Sequence, residues 1–271
     1  MIRTRLSSIV PVLAFGVLAS AASVQAQEDA KALITKMKAT LEPAKSSART
    51  VKVTVTGDGS SNEVVLGQAR GAVGGGKQIL TVVLAPADLR GTAYLVQEGP
   101  ASDNDRLWLY IPAIGRVREV VSPEAYSAFL NSDYTYSDLG FISLRAKFSP
   151  VKQETVNGAK ANVIEQVPPS SWYYARIVSS IAADSSLPLD RKFYDPANRL
   201  WKDETFAKTA VIDGVPTVMT TTMTDVQAKS SSTLDVQDVK FNVDIPPDLL
   251  TPGGLVKAAS SPIWSSLKGA K

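Results

Sequence analysis

The chain has 271 residues, with 29 basic and 26 acidic side chains and neither cysteine nor histidine. The missing cysteines exclude disulfides, thiolate nucleophiles and thiolate metal sites; the missing histidines remove the commonest general base and metal ligand. Charge is close to balance, and Arg116, Arg118, Arg145 and Lys147 are scattered rather than clustered, so there is no nucleic-acid footprint.

Arg3 and Arg5 precede an apolar run over 9–22, and Val24-Gln25-Ala26 supplies small residues for a processing site. That is the layout of a secretory signal, and the run is short for a bilayer span. The expectation is export to the periplasm with cleavage near Ala26; an uncleaved anchor is the weaker alternative, since no stop-transfer pattern follows. Loss of residues 1–26 removes two arginines and no acid, leaving 27 basic against 26 acidic side chains. No cysteine follows the apolar run, which argues against a lipid-anchored protein. The remaining stretch has no long interior linker, so 27–255 is read as one domain and the Ser/Ala/Lys-rich 256–271 as a weakly ordered tail.

Ala32, Leu33, Met37 and Leu41 recur at helical spacing and predict a helix over 28–41, stopped by Pro43. The period then changes to two. Val51, Val53 and Val55 alternate with polar residues, and strands are expected over 63–72, 78–84, 92–97, 107–111 and 116–121. Residues 122–139 break the rhythm, with a short helix at Pro123 and an aromatic loop after it. A second series covers 151–156, 160–167, 175–183, 187–194, 200–211, 215–225 and 232–241, punctuated by Asn157-Gly158 and Asp213-Gly214. Residues 246–250 read as one helical turn. Strands at hairpin spacing without a βαβ alternation predict a mainly β protein, one curled antiparallel sheet with few helices.

Several motifs have bland readings that outweigh the chemical ones. Gly71 to Lys77 has phosphate-loop spacing, but Gln78 replaces the required Ser or Thr and a strand follows, so a hairpin turn is expected. Ser149/Lys152 and Ser265/Lys268 match a Ser-x-x-Lys pattern by chance spacing. Asp133 with Asp138, and Asp103 with Asp105, are turn-formers before they are acid–base pairs or cation ligands. The protein is therefore expected to be non-catalytic and to use no cofactor or metal.

The concentrated signal is apolar. Trp108 and Tyr110 share one strand face while Leu107, Leu109 and Ile111 fill the other, where a half-exposed strand should be polar. Phe129, Leu130, Tyr134, Tyr136, Leu139 and Phe141 follow in loop-like sequence, and Met219 and Met223 share a strand face. Such residues suit a pliable apolar cavity, and they suit an ordinary core equally well. Trp108, Tyr110, Phe129, Leu130, Tyr134, Tyr136, Phe141, Met219 and Met223 are the candidate lining; which face of the sheet they leave for a ligand stays open. Phe129 and Tyr136, in the irregular segment, are expected to gate the cavity more than to build the core.

At these segments the chain resembles a known family. The fragments are GTAYL at 91–95, LWLYIPAIGRVR at 107–118, NSDYTYSDL at 131–139, LDRKFYD at 189–195, DGVP at 213–216 leading to MTD at 223–225, and NVDIP at 242–246. Their order is similar to that of the outer-membrane lipoprotein-sorting proteins, the LolA-like and LolB-like periplasmic carriers, and most of all to the larger branch found beside lipid-exporting membrane pumps. The resemblance implies an incomplete, half-open antiparallel barrel with lid helices over a cavity for acyl chains. It implies a monomeric carrier of lipid or acylated protein between the inner and outer membranes, with an inner-membrane pump as a partner. A non-catalytic adaptor docked on such a pump is the alternative.

Overall fold

The computed structural model describes residues 15–42, 45–99, 105–140, 144–168 and 173–270. A helix, α1 (Phe15–Leu41), leads into β1 (Ser47–Gly57), β2 (Ser60–Val73), β3 (Gly76–Ala85), β4 (Ala93–Gln97), β5 (Arg106–Ile111) and β6 (Arg116–Val120). After an irregular segment come β7 (Lys147–Phe148), β8 (Lys152–Val156), β9 (Ala159–Val167), β10 (Arg176–Ala182), β11 (Pro188–Tyr194), β12 (Leu200–Ile212), β13 (Val215–Asp225) and β14 (Ser230–Phe241). The helix begins upstream of the expected 28–41 and runs through the expected cleavage position. Among the described residues no helix is long and apolar enough to cross a membrane.

All fourteen strands join one sheet in the order β6-β5-β4-β3-β2-β1-β14-β13-β12-β11-β10-β9-β7, with β8 also on β9. Neighbours pair antiparallel throughout. The sheet is open, ending at β6 on one side and at β7 and β8 on the other, as a half-open barrel requires. Two hairpin ladders, β1 to β6 and β9 to β14, form two wings, and the non-local β1–β14 pairing joins them.

Local chemistry sets the corners. The turn between β2 and β3 places Gly74 and Gly75 at φ +61° and +84°, so the phosphate-loop spacing is a tight hairpin. Asn157-Gly158 and Asp213-Gly214 adopt the same left-handed pair, with φ of +51° and +82°, and +51° and +78°. Ser149 Oγ donates to the Pro150 carbonyl and Ser265 Oγ to that of Pro262, so neither Ser-x-x-Lys serine faces a lysine amine.

The two faces of the first wing are covered differently. On the outer face Leu80, Val82, Ala93 and Leu95 pack beneath the C-terminal segment. That segment, part of it expected as a weak tail, forms 3-10 turns at Pro247–Leu250, Pro252–Ser260 and Pro262–Ser266, and Leu255, Ala258, Trp264 and Leu267 are buried. Gly67, in mid-strand β2, makes room for this: a Cβ there would lie 2.9 Å from the Trp264 ring. Trp264 Nε1 donates to the Ala258 carbonyl at 2.7 Å, and Thr50 Oγ1 to that of Lys268 at 2.5 Å.

Two bridges span the inner, concave face. Helix α1 buries Ala30, Ile34 and Met37 against Phe148, Ile164 and Ile181 of the second wing. It reaches the first wing through ion pairs, Lys38 with Glu98, and Glu42 with Lys77 at 2.8 Å. The segment 121–140 is the other bridge. Its Phe129 and Tyr136 pack on Tyr94 of the first wing, with ring centroids 6.3 and 5.0 Å away. Its Tyr134 packs with Tyr174, Phe193 and Met223 of the second.

Candidate functional site

A cavity of about 190 Å³ lies on the concave face between the two wings and beneath both bridges. Strand alternation decides what reaches it. On β1, Ser47, Arg49 and Val51 share the inward face; on β2, Gln68 and Arg70; on β14, Leu234, Val236, Val239 and Phe241. The second wing contributes Arg191, Glu204, Phe206 and Thr221, helix α1 adds Met37 and Leu41, and the loop adds Tyr134, Asp138 and Leu139.

The charges on the second-wing side are matched. Arg191 Nε donates to Glu204 Oε2 at 2.6 Å, and the carboxylate is almost wholly buried. Burial raises the Glu204 pKa against the pull of Arg191, and it raises the Tyr134 phenol well above its usual range, with the nearby Glu204 charge adding to the effect. Asp138 accepts from the Thr135 amide at 2.8 Å and the Tyr174 hydroxyl at 3.1 Å, and lies 3.9 Å from Lys202. Asp133 accepts from Ser230 and Ser232 of β14. Both aspartates therefore fasten the loop to the second wing, which is a structural use.

The first-wing side is not matched. Arg49 Nε donates to Gln68 Oε1 at 2.7 Å, and Gln68 in turn donates to Thr81 at 3.1 Å. Neither Arg49 nor Arg70 has an ion pair among the described residues, and the buried Arg70 Nε has no hydrogen-bond partner. Burial, with Arg70 beside it, pushes the Arg49 guanidinium down to about 9, and burial lowers Arg70 as well. Each shift records the cost of holding a cation out of water.

The nine expected lining residues scatter. Tyr134 lines the cavity. Phe129, 5% exposed, and Tyr136 sit in the core beside Tyr94, whose hydroxyl donates to the Tyr136 carbonyl at 2.9 Å, and Leu130 packs against the same cluster. Phe129 is buried and Tyr136 and Leu130 are partly buried in that cluster, and none of the three lines the cavity. Met223 is fully buried next to Tyr134, and Met219 is half-buried outside the lining. Trp108 and Tyr110 are on the other face of the sheet, packed against the C-terminal cluster, with Trp108 Nε1 donating to Gln97. The face of β5 turned toward the concave side is that of Leu107 and Leu109. Phe141 lies outside the described residues.

The residues that sequence reasoning missed are the polar ones, Arg49, Gln68, Arg70, Arg191 and Glu204. A signal for the first three was present. Arg49 has the parity of Val51 and Val53, and Gln68 and Arg70 that of Val64 and Leu66, so period-two counting puts them on the buried face.

A family model described as "-like: Uncharacterized protein" matches residues 75–257. No curated protein matches the chain in sequence. Among solved structures, a putative outer membrane lipoprotein-sorting protein domain from Vibrio parahaemolyticus is 27% identical, with a TM-score of 0.78 over 85% of this chain and 99% of that one. A DUF1329 family protein from Desulfovibrio piger shares the fold at 22% identity and a TM-score of 0.78, over 84% of this chain and 98% of that one. So does a LolA superfamily protein from Nitrosomonas europaea, at 18% identity and 0.66, over 82% and 97%. The chain belongs to the family whose model spans 75–257, and it shares the fold of these lipoprotein-sorting and LolA superfamily proteins.

Proposed function

We propose that this protein is a periplasmic carrier that shelters acyl chains of a lipid or lipoprotein in the concave cavity on their way between the inner and outer membranes. The observation that carries the reading is the cavity itself, walled by Val51, Leu234, Val236, Phe206 and Phe241 beneath the two bridges. The similarity to a lipoprotein-sorting domain supports it. Partition supplies the affinity: each methylene taken from water contributes ~0.8 kcal/mol, so a sixteen-carbon chain offers roughly 10 kcal/mol or more. No catalytic group is needed for that step.

At about 190 Å³ the cavity is smaller than the ~300–1,000 Å³ sites that hold drug-sized ligands, so loading requires one bridge to lift. Helix α1 is the one that lifts. It is anchored to the second wing by apolar packing but to the first by ion pairs, one with a half-exposed Lys77. The Glu42–Lys77 pair, open to solvent at Lys77, holds by only ~0–1 kcal/mol, while the Lys38–Glu98 pair is largely buried. An inner-membrane pump of the lipid-exporting type is the proposed donor or acceptor.

The test is titration of the native protein with a fluorescent fatty acid, alongside native mass spectrometry of periplasmic material followed by lipid extraction. Saturable uptake at one or two sites, with a negative heat-capacity change, is expected. Failure of the native protein to take up any such probe refutes the carrier and leaves the adaptor role.

A further inference from the structure

The cavity contains one feature that acyl-chain shelter does not need: two arginines, in no ion pair among the described residues, at the end of an apolar row. On the concave face Arg49 pairs across the sheet with Gln68 and Val239. The next inward position on β1 is Val51, opposite Val236 and Leu66, and the next is Val53, opposite Leu234 and Val64. Charge therefore sits at one end of a groove floor that is aliphatic from the very next step. That is the shape of an amphiphile's partner, with a head site and a tail track.

Resting on the carrier reading, and naming what it carries, we infer that Arg49 and Arg70 bind the oxyanion head group of an acyl-chain ligand, a carboxylate or a phosphate, whose tail runs along Val51, Val236 and Leu234. The polar groups nearby are arranged for this. Gln68 takes the Arg49 Nε–H, fixing the guanidinium plane while its terminal nitrogens remain uncommitted to any carboxylate. The Arg70 Nε is buried and unpartnered, so a donor is held in the wall with nothing to accept from it. Glu42, whose charge acts on Arg70, is already taken by Lys77 and Lys38. Of the cavity's other cations, Arg191 is bound to Glu204 at 2.6 Å and Lys38 is paired with Glu98 and Glu42, so among the described residues the positive charge outside any ion pair is local to the β1–β2 end. Planar guanidinium forks suit an oxyanion bidentately, and a bound anion relieves two neighbouring like charges that are partly shielded from water.

The experiment compares palmitic acid, its methyl ester, and a lysophospholipid with a phosphate head group, each titrated into the full-length mature protein. Wild type should favour the charged ligands over the ester by tenfold or more, the scale of one charge-assisted hydrogen bond. Carboxylate or phosphate, whichever binds tighter, identifies the source of the head group, and either satisfies the inference. Arg49→Met with Arg70→Met should abolish the preference while keeping ester binding, and Arg49→Lys should retain part of it. The double variant should also melt higher than wild type when empty, because the repulsion is gone. Equal binding of acid and ester by wild type overturns the head-group site yet leaves the carrier standing. Uptake of none of the three refutes the carrier itself.

Discussion

Trp264 provides the sharpest test of which face does what. Its indole is 3% exposed, lies over Gly67 of β2, and donates to the Ala258 carbonyl at 2.7 Å. Truncating a buried Trp to Ala costs ~3–5 kcal/mol. In a domain of this size each kcal/mol lowers Tm by roughly 2–4 °C, so Trp264→Ala should melt about 6–20 °C lower. Gly67→Ala attacks the same contact from below. Its Cβ would lie 2.9 Å from ring atoms, and overpacking of this kind costs ~1–3 kcal/mol. The two costs should not add: with Trp264 already Ala, the Gly67→Ala penalty should vanish, a coupling that a double-mutant cycle in thermal or urea unfolding measures directly. Because this cluster lies on the face opposite the cavity, fatty-acid affinity of the folded variants should stay within about twofold of wild type. Additive losses, or a Trp264→Ala protein as stable as wild type, would refute the packing argument. A folded variant that binds lipid far more weakly would place the ligand on the outer face instead.

Three further outcomes follow from the packing and charge. Phe129→Ala should cost ~3–5 kcal/mol of folding free energy, since its ring lies 5.5 Å from that of Tyr136 in a closed cluster, and chemical denaturation will show a small loss if the residue is a mobile gate instead. Glu204→Gln should cost about 1–3 kcal/mol because it leaves the partly buried Arg191 without its counter-charge, while Arg191→Met with Glu204→Met should recover most of the loss in the same assay. Burial holds the phenols of Tyr94, Tyr134 and Tyr174 above their ordinary range. Their contribution to stability is whole below the unfolded-state value near 10 and is lost as pH rises beyond it, because the unfolded chain ionises first. Ultraviolet titration should therefore show these three ionising only together with unfolding; smooth ionisation in a folded protein would contradict their burial.

Much of the sheet was legible because its determinants are local. β3 was expected over 78–84 and spans Gly76–Ala85, and β13 was expected and found over 215–225. Alternation marks a strand, and Asn-Gly, Asp-Gly or Gly-Gly marks its corner, whatever the rest of the chain does. The two-residue β7 carried no such signal, being set by pairing with β9.

The order of short fragments also made the likeness to lipoprotein-sorting proteins legible, and with it the open curl of the sheet. What alternation could not supply was which side of β5 faces the cavity. Its two faces are both apolar because both are covered, Trp108 and Tyr110 by the C-terminal turns and Leu109 by the segment around Ala125. The cover over Trp108 and Tyr110 comes from residues more than a hundred positions away, in a Ser- and Ala-rich stretch whose 3-10 turns lack helical periodicity.

The arginines illustrate the same division. Their parity along β1 and β2 was a signal in the sequence for the inward face, though sequence reasoning missed it. That the face encloses a cavity there, and that no carboxylate forms an ion pair with them among the described residues, was decided by the non-local β1–β14 pairing and by the packing of α1 on the second wing. Period-two alternation is a property of neighbouring residues, whereas an unmatched charge is a property of everything that packs around it.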